Sequence, residues 1–332
     1  MYFAGCLLGA GILLFSRVPY TLSGDIQGTT YHIKLKRPLW ILPKQIDTTV
    51  AKTLADLDKV ASGYRPDSEV SILNHTKPGE TVSFSPTMQR LLDMSHVVHK
   101  ESHGAFDPSA GTLFAIWDFR KPGWEVPQAG TVQTTLRQIR ERGGFSWKKA
   151  SGTLTKTWQQ KLVFDAIAQG LSVDMVAEAL DRLGIHRYFI EVGGEVRVRG
   201  GKPWRIGISY PDKSAEAWSL YGILRLKEGS VATSGTYRRV VVDSKGVTRS
   251  HIIDPRTGYP APHDVVSATV IHPNCGMADA LATAVLVLGP KEGLALLDRV
   301  PEASGFVIVH RDGVYMPYYS ERFPTGDFEV SK

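Results

Sequence analysis

Residues 250–290 read SHIIDPRTGYPAPHDVVSATVIHPNCGMADALATAVLVLGP, and the rest of the chain is interpreted outward from them. A His and an Asp stand close together (His251, Asp254), a Pro/Gly turn follows (Pro255, Gly258, Pro260), then an apolar strand, then a helix over 278–288 opening on Asp279. Asp279 and Thr283 are four residues apart, so both project from one side of the helix's first turns. A carboxylate beside a hydroxyl offers hard oxygen ligands of the kind Mg²⁺ and Ca²⁺ take. The same pair also reads as a first-turn acid favoured by the helix dipole and a Thr bonding back to its own helix. The spacing leaves both readings open.

Downstream, EGLALLDRV (292–300) reads as a further helix and GFVIVHRDGVYMP (305–317) as a hairpin turning at Asp312-Gly313. Upstream, SVATSGTYRRVVV (230–242) starts small and polar and becomes a strand; YGILRLKEG (221–229) and WRIGISYP (204–211) are two more. HRYFIEVGGEVRVRG (186–200) is strand, Gly-Gly bend, strand. SVDMVAEALDRLG (172–184) is a helix with Val173, Val176, Ala177 and Leu180 on one face and Gly184 as its stop. KLVFDAIAQG (161–170) reads as a buried strand leading into a small-residue turn. The polar stretch 120–150 suggests a helix with surface loops, and 104–119 an irregular loop entering a short apolar segment.

Residues 86–103 form a helix whose His96, His99 and His103 read as a solvated face, because no zinc-protease carboxylate pattern accompanies them. A loop at Gly63 to Pro66, carrying Tyr64, precedes a helix start at Asp67-Ser68-Glu69. Ile46, Val50, Leu54, Leu57 and Val60 mark an amphipathic helix over 45–62, and 24–36 reads as a strand. Strands and helices alternate irregularly, with several hairpins. That pattern predicts an α+β fold of mixed or antiparallel sheets with packed helices, not a doubly wound sheet. With no repeat and no linker, residues 24–330 read as a single catalytic unit.

Composition narrows the function. The chain has 332 residues, is 42% hydrophobic and carries a net charge of +6. No Lys/Arg block with interleaved aromatics calls for nucleic acid, whereas anionic ligands or a membrane surface suit the charge. The two cysteines are Cys6 and Cys275, with Cys6 in the apolar start, which excludes a disulfide framework. Residues 1–15, MYFAGCLLGAGILLF, are apolar and uncharged. The run is short for a span of about 20 residues, matches a signal-peptide core, and is apolar all round, as a membrane-embedded segment is. Phe3-Ala4-Gly5-Cys6 has the composition of a lipoprotein cleavage box but lies close to Met1. Segment 1–16 therefore predicts export, with the catalytic part outside the cytoplasm and tethered to the membrane.

The chain lacks G-x-G-x-x-G after a strand, a P-loop and a G-x-S-x-G elbow. It does have small-residue stretches at 28–30, 104–107, 165–170, 193–194 and 232–236, where backbone amides can approach phosphates. Beside them stand carboxylates (Asp107, Asp165, Asp279), hydroxyls (Thr233, Ser234, Thr283) and His251. A divalent metal, a phosphate ligand and a histidine base make a phosphoryl-transfer site.

The order of GTTYHI, SGYRPDSEVSILN, GAFDPS, AIAQGLSVD, VGGEV, SVATSGTY, SHIIDPRTG and ADALATAVLVLGP, from about Gly28 to about residue 317, resembles the ApbE family of FAD:protein FMN transferases. The resemblance implies a T-fold-like architecture and an enzyme that uses FAD and Mg²⁺. Such an enzyme moves the FMN half of FAD to a Thr or Ser hydroxyl of an acceptor protein and releases AMP. By position it implies Asp279, Thr283 and the Ala166 carbonyl as metal ligands. It implies Gln27, Tyr64, Ala105, Phe106, Asp107, Asp165, Gln169, Thr233, Ser234 and Ile252 around FAD. His251 corresponds to the base that deprotonates the acceptor, although a structural hydrogen bond holding the Pro/Gly turn also fits it. Acceptors of the family are typically membrane redox subunits with a D-x-x-[S/T]-G-A-[T/S]-like site. The chain's own DVVSAT (264–269) lacks the Gly, so the acceptor is another protein.

Two positions depart from the family pattern: Val163 stands where many members have Asp, with Asp165 two residues on, and Gln27 stands where a Met is frequent. Hydrolysis of FAD to FMN and AMP, and flavin binding without turnover, are the alternative activities.

Overall fold

The computed structural model describes residues 17–119, 125–141, 146–148, 151–212, 219–236, 240–242, 246, 248–261 and 264–331. The apolar segment 1–16 with Cys6 lies outside the described residues, as do parts of the stretches 120–150 and 230–242. The chain opens with a hairpin of β1 (Arg17–Ile26) and β2 (Thr29–Pro38). Gln27 and Gly28, at φ 53° and 73°, make its two-residue turn, the form in which both central residues are left-handed. The expected single strand over 24–36 is thus two strands, split at a Gln-Gly turn.

Helix α1 (Pro43–Ala61) buries Ile46, Val50, Leu54, Leu57 and Val60, the stripe its spacing predicts. Helix α2 (Glu69–His75) starts on Ser68, whose Oγ accepts the Ser71 N–H at 3.1 Å. Strand β3 (Thr81–Ser83) and α3 (Pro86–Glu101) follow, then a 3₁₀ turn (Pro108–Ala110), α4 (Gly111–Trp117) and α5 (Ala129–Glu141). Strands β4 (Ser146–Lys148) and β5 (Thr153–Thr155) join β3 in a small sheet.

The segment 161–170 corrects a sequence expectation. Residues 161–164 are irregular, and Asp165 is the first residue of α6 (Asp165–Arg182), a helix that reaches well upstream of the predicted start at 172. Leu162, Val163 and Phe164 look like a strand in sequence, but a side chain takes the place of a pairing strand. Asn74 Oδ1 accepts the Leu162 N–H at 2.7 Å, and its Nδ2 donates to the Leu162 carbonyl at 2.9 Å.

Strands β6 (Tyr188–Val192) and β7 (Glu195–Arg199) turn at Gly193-Gly194, and β8 (Trp204–Ser209), β9 (Leu220–Leu226) and β10 (Gly229–Gly235) succeed them. A small hairpin, β11 (Val240–Val242) with β12 (Thr248–Ser250), precedes β13 (Val265–His272). Next comes the long helix α7 (Cys275–Arg299), broken at Gly289, so the two predicted helices run on from each other. Strands β14 (Ser304–Arg311), β15 (Val314–Tyr319) and β16 (Phe328–Val330) end the chain.

The main sheet has eight strands in the order β1-β2-β6-β7-β10-β13-β14-β15, every neighbour antiparallel. One face carries α7, whose Ala278, Leu281, Ala282 and Val285 pack with Ala232, Ala268, Val270 and Val307. Helix α6 lies beside α7 and between it and α1. The opposite face, through Val231, Ile271, Phe306 and Ile308, packs on the three-stranded sheet β16-β9-β8. This is the α+β, antiparallel arrangement that the sequence predicts.

Candidate functional site

The site is assembled where the start of α7 crosses the start of α6. Helix α7 begins at Cys275, four residues before Asp279, and is capped by Asn274, whose Oδ1 accepts the Met277 N–H at 2.9 Å. Asp279 is therefore in the second turn and not at the helix mouth, which corrects the predicted opening. The mouth is held by another acid. Asp174 of α6 is fully buried and accepts the N–H groups of Cys275 and Gly276 at 3.0 and 2.9 Å. It also forms a close ion pair with Arg197 on β7. Burial pushes the Asp174 carboxyl up, opposed by Arg197 and the two N–H groups. Three elements are thereby locked to each other around one carboxylate.

Asp279 faces α6 from this fixed start and is 5% exposed. Its Oδ2 accepts the Gly170 N–H at 3.0 Å. In a regular helix that donor would serve the Ala166 carbonyl. Here the helical dihedrals break at Ala166, with φ −91° and ψ 20°. The approach requires glycine: a Cβ on Gly170 would lie 2.4 Å from the Cys275 carbonyl oxygen and 2.8 Å from Asp279 Cβ. Burial pushes the Asp279 carboxyl up to about 7; the Gly170 N–H opposes this and the Asp165 carboxylate adds to it.

One turn further along α7, the Thr283 hydroxyl lies 3.0 Å from Ser234 Oγ on β10. Thr233, the next residue on that strand, points to the other face, where its hydroxyl lies 3.0 Å from that of Thr269. Its side chain is therefore turned away from the surface that carries Asp279 and Thr283. Gln27, at the turn of the first hairpin, accepts from Ser172 of α6 at 3.4 Å. Gln169 packs so closely on the Gly193-Gly194 turn that a Cβ on Gly193 would lie 2.7 Å from its Nε2. Gln27 thus contacts α6, Gln169 of α6 contacts Gly193, Asp165 acts electrostatically on Asp279, and Ser234 meets Thr283.

Ala105, Phe106 and Asp107 precede the 3₁₀ turn that meets the segment before α6. Ala105 and Phe106 are buried, and Asp107 Oδ1 caps the 3₁₀ turn by accepting the Ser109 N–H at 2.8 Å. The turn in turn accepts the Val163 N–H on the Pro108 carbonyl at 2.9 Å, next to the start of α6. Val163 lies in irregular backbone and Asp165 on a helix, so the two do not share a strand face. Of the small-residue stretches, 165–170 is helix and most of 232–236 is strand, so neither is a phosphate-binding loop. His96 and His103 are exposed, and His99 Nδ1 contacts the Phe106 carbonyl at 3.0 Å. Tyr64 stands on the loop after α1 with 69% of its surface exposed.

His251 is half-buried just past β12, at the head of a stiff loop. Ile252 N–H donates to Ser250 Oγ at 3.0 Å, and the Ile252 carbonyl accepts the Ala261 N–H at 3.0 Å. Asp254, read beside His251 as possible chemistry, is buried and is engaged by the N–H, Nε and Nη2 of Arg256 at 2.8, 3.0 and 2.9 Å. The turn beyond it fits under α4 and α5: Trp117 Nε1 donates to the Gly258 carbonyl at 2.8 Å. A Cβ on Gly258 would meet Val132 Cγ1 at 2.6 Å.

Among the described residues no three His, Cys, Asp or Glu side chains gather as a metal centre would need. The candidate donors are the buried Asp279 carboxylate, the Thr283 hydroxyl and the peptide carbonyl of Ala166 at the irregular start of α6, all hard oxygen donors. Burial and the Asp165 carboxylate disfavour the charged form of Asp279, and the Gly170 N–H favours it. Hard oxygen donors of this kind are the ones Mg²⁺ takes.

Sequence reading missed Asp174, Arg197, Gly170 and Trp117. The signal for Asp174 was visible: an acid flanked by Val173, Val176 and Ala177 on a buried helical face needs a partner.

The family model of ApbE matches residues 27–307. A Vibrio cholerae protein described as an FAD:protein FMN transferase is 34% identical over 312 residues, covering 91% of this chain and 91% of its own. A Haemophilus influenzae protein of the same description is 31% identical over 324 residues, covering 91% and 90%. The solved structure of the flavin transferase ApbE from Vibrio cholerae superposes with a TM-score of 0.81 at 31% identity, over 93% of this chain and 99% of that one. The apo form of the Pseudomonas stutzeri flavinyl transferase ApbE gives 0.81 at 30% identity, over 93% and 96%.

Proposed function

The chain belongs to the ApbE family, and from that premise we propose that it transfers the FMN half of FAD, with Mg²⁺, to a Thr or Ser hydroxyl of an acceptor protein and releases AMP. Flavin transfer from FAD to protein is the activity its relatives carry by name, and it is the activity of this chain. The observation that supports the finer reading is Asp279: a buried carboxyl pushed up by desolvation, one helical turn from the Thr283 hydroxyl.

Asp279, Thr283 and the Ala166 carbonyl would hold Mg²⁺, which supplies charge neutralisation at the pyrophosphate oxygens. By resemblance, Gln27, Tyr64, Ala105, Phe106, Asp107, Asp165, Gln169, Ser234 and Ile252 would contact FAD, while Thr233, whose hydroxyl meets Thr269, faces away. The acceptor oxygen bonds to the FMN phosphorus as the pyrophosphate bridge breaks, and the bridging oxygen leaves with AMP. His251 takes the acceptor's proton, a role suited to an imidazole that titrates near neutrality. The clamped loop from Ser250 to Ala261 supports this, since a base must be held in place to act in a short-lived geometry.

The acceptor we assign is a subunit of a membrane redox complex with a D-x-x-[S/T]-G-A-[T/S]-like site. We place the enzyme outside the cytoplasm, held at the inner membrane by residues 1–16. The uncharged apolar run at 1–15 supports that placement.

The test is to incubate the chain with FAD, Mg²⁺ and an acceptor domain carrying that motif. The expected result is a fluorescent acceptor band on a denaturing gel, a mass gain of one FMN less water, and one AMP per flavin attached. An unmodified acceptor would overturn the proposal, and FMN released without any acceptor would assign the chain to FAD hydrolysis.

A further inference from the structure

The most exposed apolar group near the start of the structure is the loop between β2 and α1. Leu39, Trp40 and Leu42 are 38%, 53% and 65% exposed, while Ile41 between them is buried. The loop is not slack. Arg37 Nη1 donates to the Ile41 carbonyl at 2.6 Å, and the Arg17 guanidinium lies 5.9 Å from the centre of the Trp40 ring. Residues 36–46, KRPLWILPKQI, contain three basic side chains and no acid.

The position of this loop gives it meaning. Arg17 is the cross-strand partner of Pro38, so the chain entering β1 and the loop leaving β2 share one end of the hairpin. Neighbouring strands are about 4.8 Å apart. The fifteen residues MYFAGCLLGAGILLF end two positions before Arg17. The apolar run thus joins the described chain at Arg17, next to the strand end from which the apolar, aromatic, basic-flanked loop departs. Tryptophan and aliphatic side chains with nearby Arg and Lys are what an anionic membrane interface takes up.

We propose that Leu39, Trp40 and Leu42 form a membrane-contact surface that seats the domain on an anionic bilayer beside its tether, which fixes which side of the domain faces the lipid. This rests on the tether assigned above to residues 1–16 and adds a second, independent contact to it.

The test uses the full chain with vesicles of phosphatidylcholine and phosphatidylglycerol whose acyl chains are brominated, since bromine quenches tryptophan only on contact. Sedimentation reports tethering; fluorescence reports the loop. The expected result is that the chain sediments with the vesicles and its emission is partly quenched. In Trp40→Phe most of that quenching is lost, and in Leu42→Glu it falls with Trp40 still present. Both variants sediment and melt as the parent does, because both sites are on the surface. Sedimentation with equal quenching in the parent and Trp40→Phe overturns the loop contact alone. A chain that stays in the supernatant overturns the tether and the contact together.

Discussion

Replacing Gly170 with Ala tests the joint between α6 and α7. The added Cβ would stand 2.4 Å from the Cys275 carbonyl oxygen and 2.7 Å from its carbon. Ordinary contact begins near 3.5 Å, so the first turn of α7 must retreat by about 1 Å. It cannot swing away freely, because the Cys275 and Gly276 N–H groups are fixed on Asp174 at 3.0 and 2.9 Å. Overpacking of this kind costs about 1–3 kcal/mol. The same retreat carries Asp279, whose Cβ is 2.8 Å from the new atom, away from Gly170 and Ala166. Groups that orient metal ligands change affinity by roughly 10–100-fold when disturbed.

The assay is urea unfolding together with the rise in melting temperature on adding Mg²⁺ and FAD. Gly170→Ala should lose about 1–3 kcal/mol and much of its Mg²⁺ response. Gly130, in α5, is the control, since a Cβ added there would meet nothing within 4 Å. Gly130→Ala should be neutral or stabilising by up to about 1 kcal/mol. A Gly170→Ala protein with parental stability and parental Mg²⁺ response would refute the reasoning.

Three further outcomes follow from the same geometry. Asp279 binds its proton more tightly folded than unfolded, so its contribution to stability is full below about pH 4, the unfolded carboxyl range, and drains away as the pH rises to about 7. Metal-free protein should show that loss in its melting temperature, Mg²⁺ should offset it, and Asp279→Asn should show neither effect. Asp174→Ala leaves Arg197 and two N–H groups buried without their partner and should cost about 3–5 kcal/mol by urea unfolding. The double variant Asp174→Leu, Arg197→Met should recover part of that loss. Trp117→Phe removes the donor to the buried Gly258 carbonyl, should cost about 1–3 kcal/mol, and should lower the rate of flavin transfer by loosening the His251 loop.

Periodicity carried the parts of the fold that bury one stripe or turn tightly. Helix α1 has its apolar residues where the 3.6 repeat puts them, Ser68 caps α2, and Asp312-Gly313 turns the last hairpin. The failures have physical causes. Leu162 to Phe164 looks like a strand because nothing local reveals that Asn74, 88 residues before Leu162, supplies the strand-like hydrogen bonds. The start of α7 is signalled by Asn274, a capping residue, whereas the sequence reading opens the helix on Asp279, an acid of the kind helix starts favour. In β1 the alternation of Val18, Tyr20 and Leu22 was present, and the Gln27-Gly28 turn was legible as a dipeptide. Spacing puts Asp279 and Thr283 on one side of α7, whereas Gly170 and Asp174 join that region only through contacts more than a hundred residues distant in sequence.

The central claim is that one hard cation sits between the second turn of α7 and the break in α6. Mn²⁺ substitutes for Mg²⁺ at oxygen sites and scatters X-rays anomalously, so crystals grown with Mn²⁺ and FAD locate the ion directly. The account predicts a single strong anomalous peak within bonding distance of Asp279, the Thr283 hydroxyl and the Ala166 carbonyl, with the FAD pyrophosphate against it. A peak coordinated by other residues, with Asp279 still bonded only to Gly170, would contradict it.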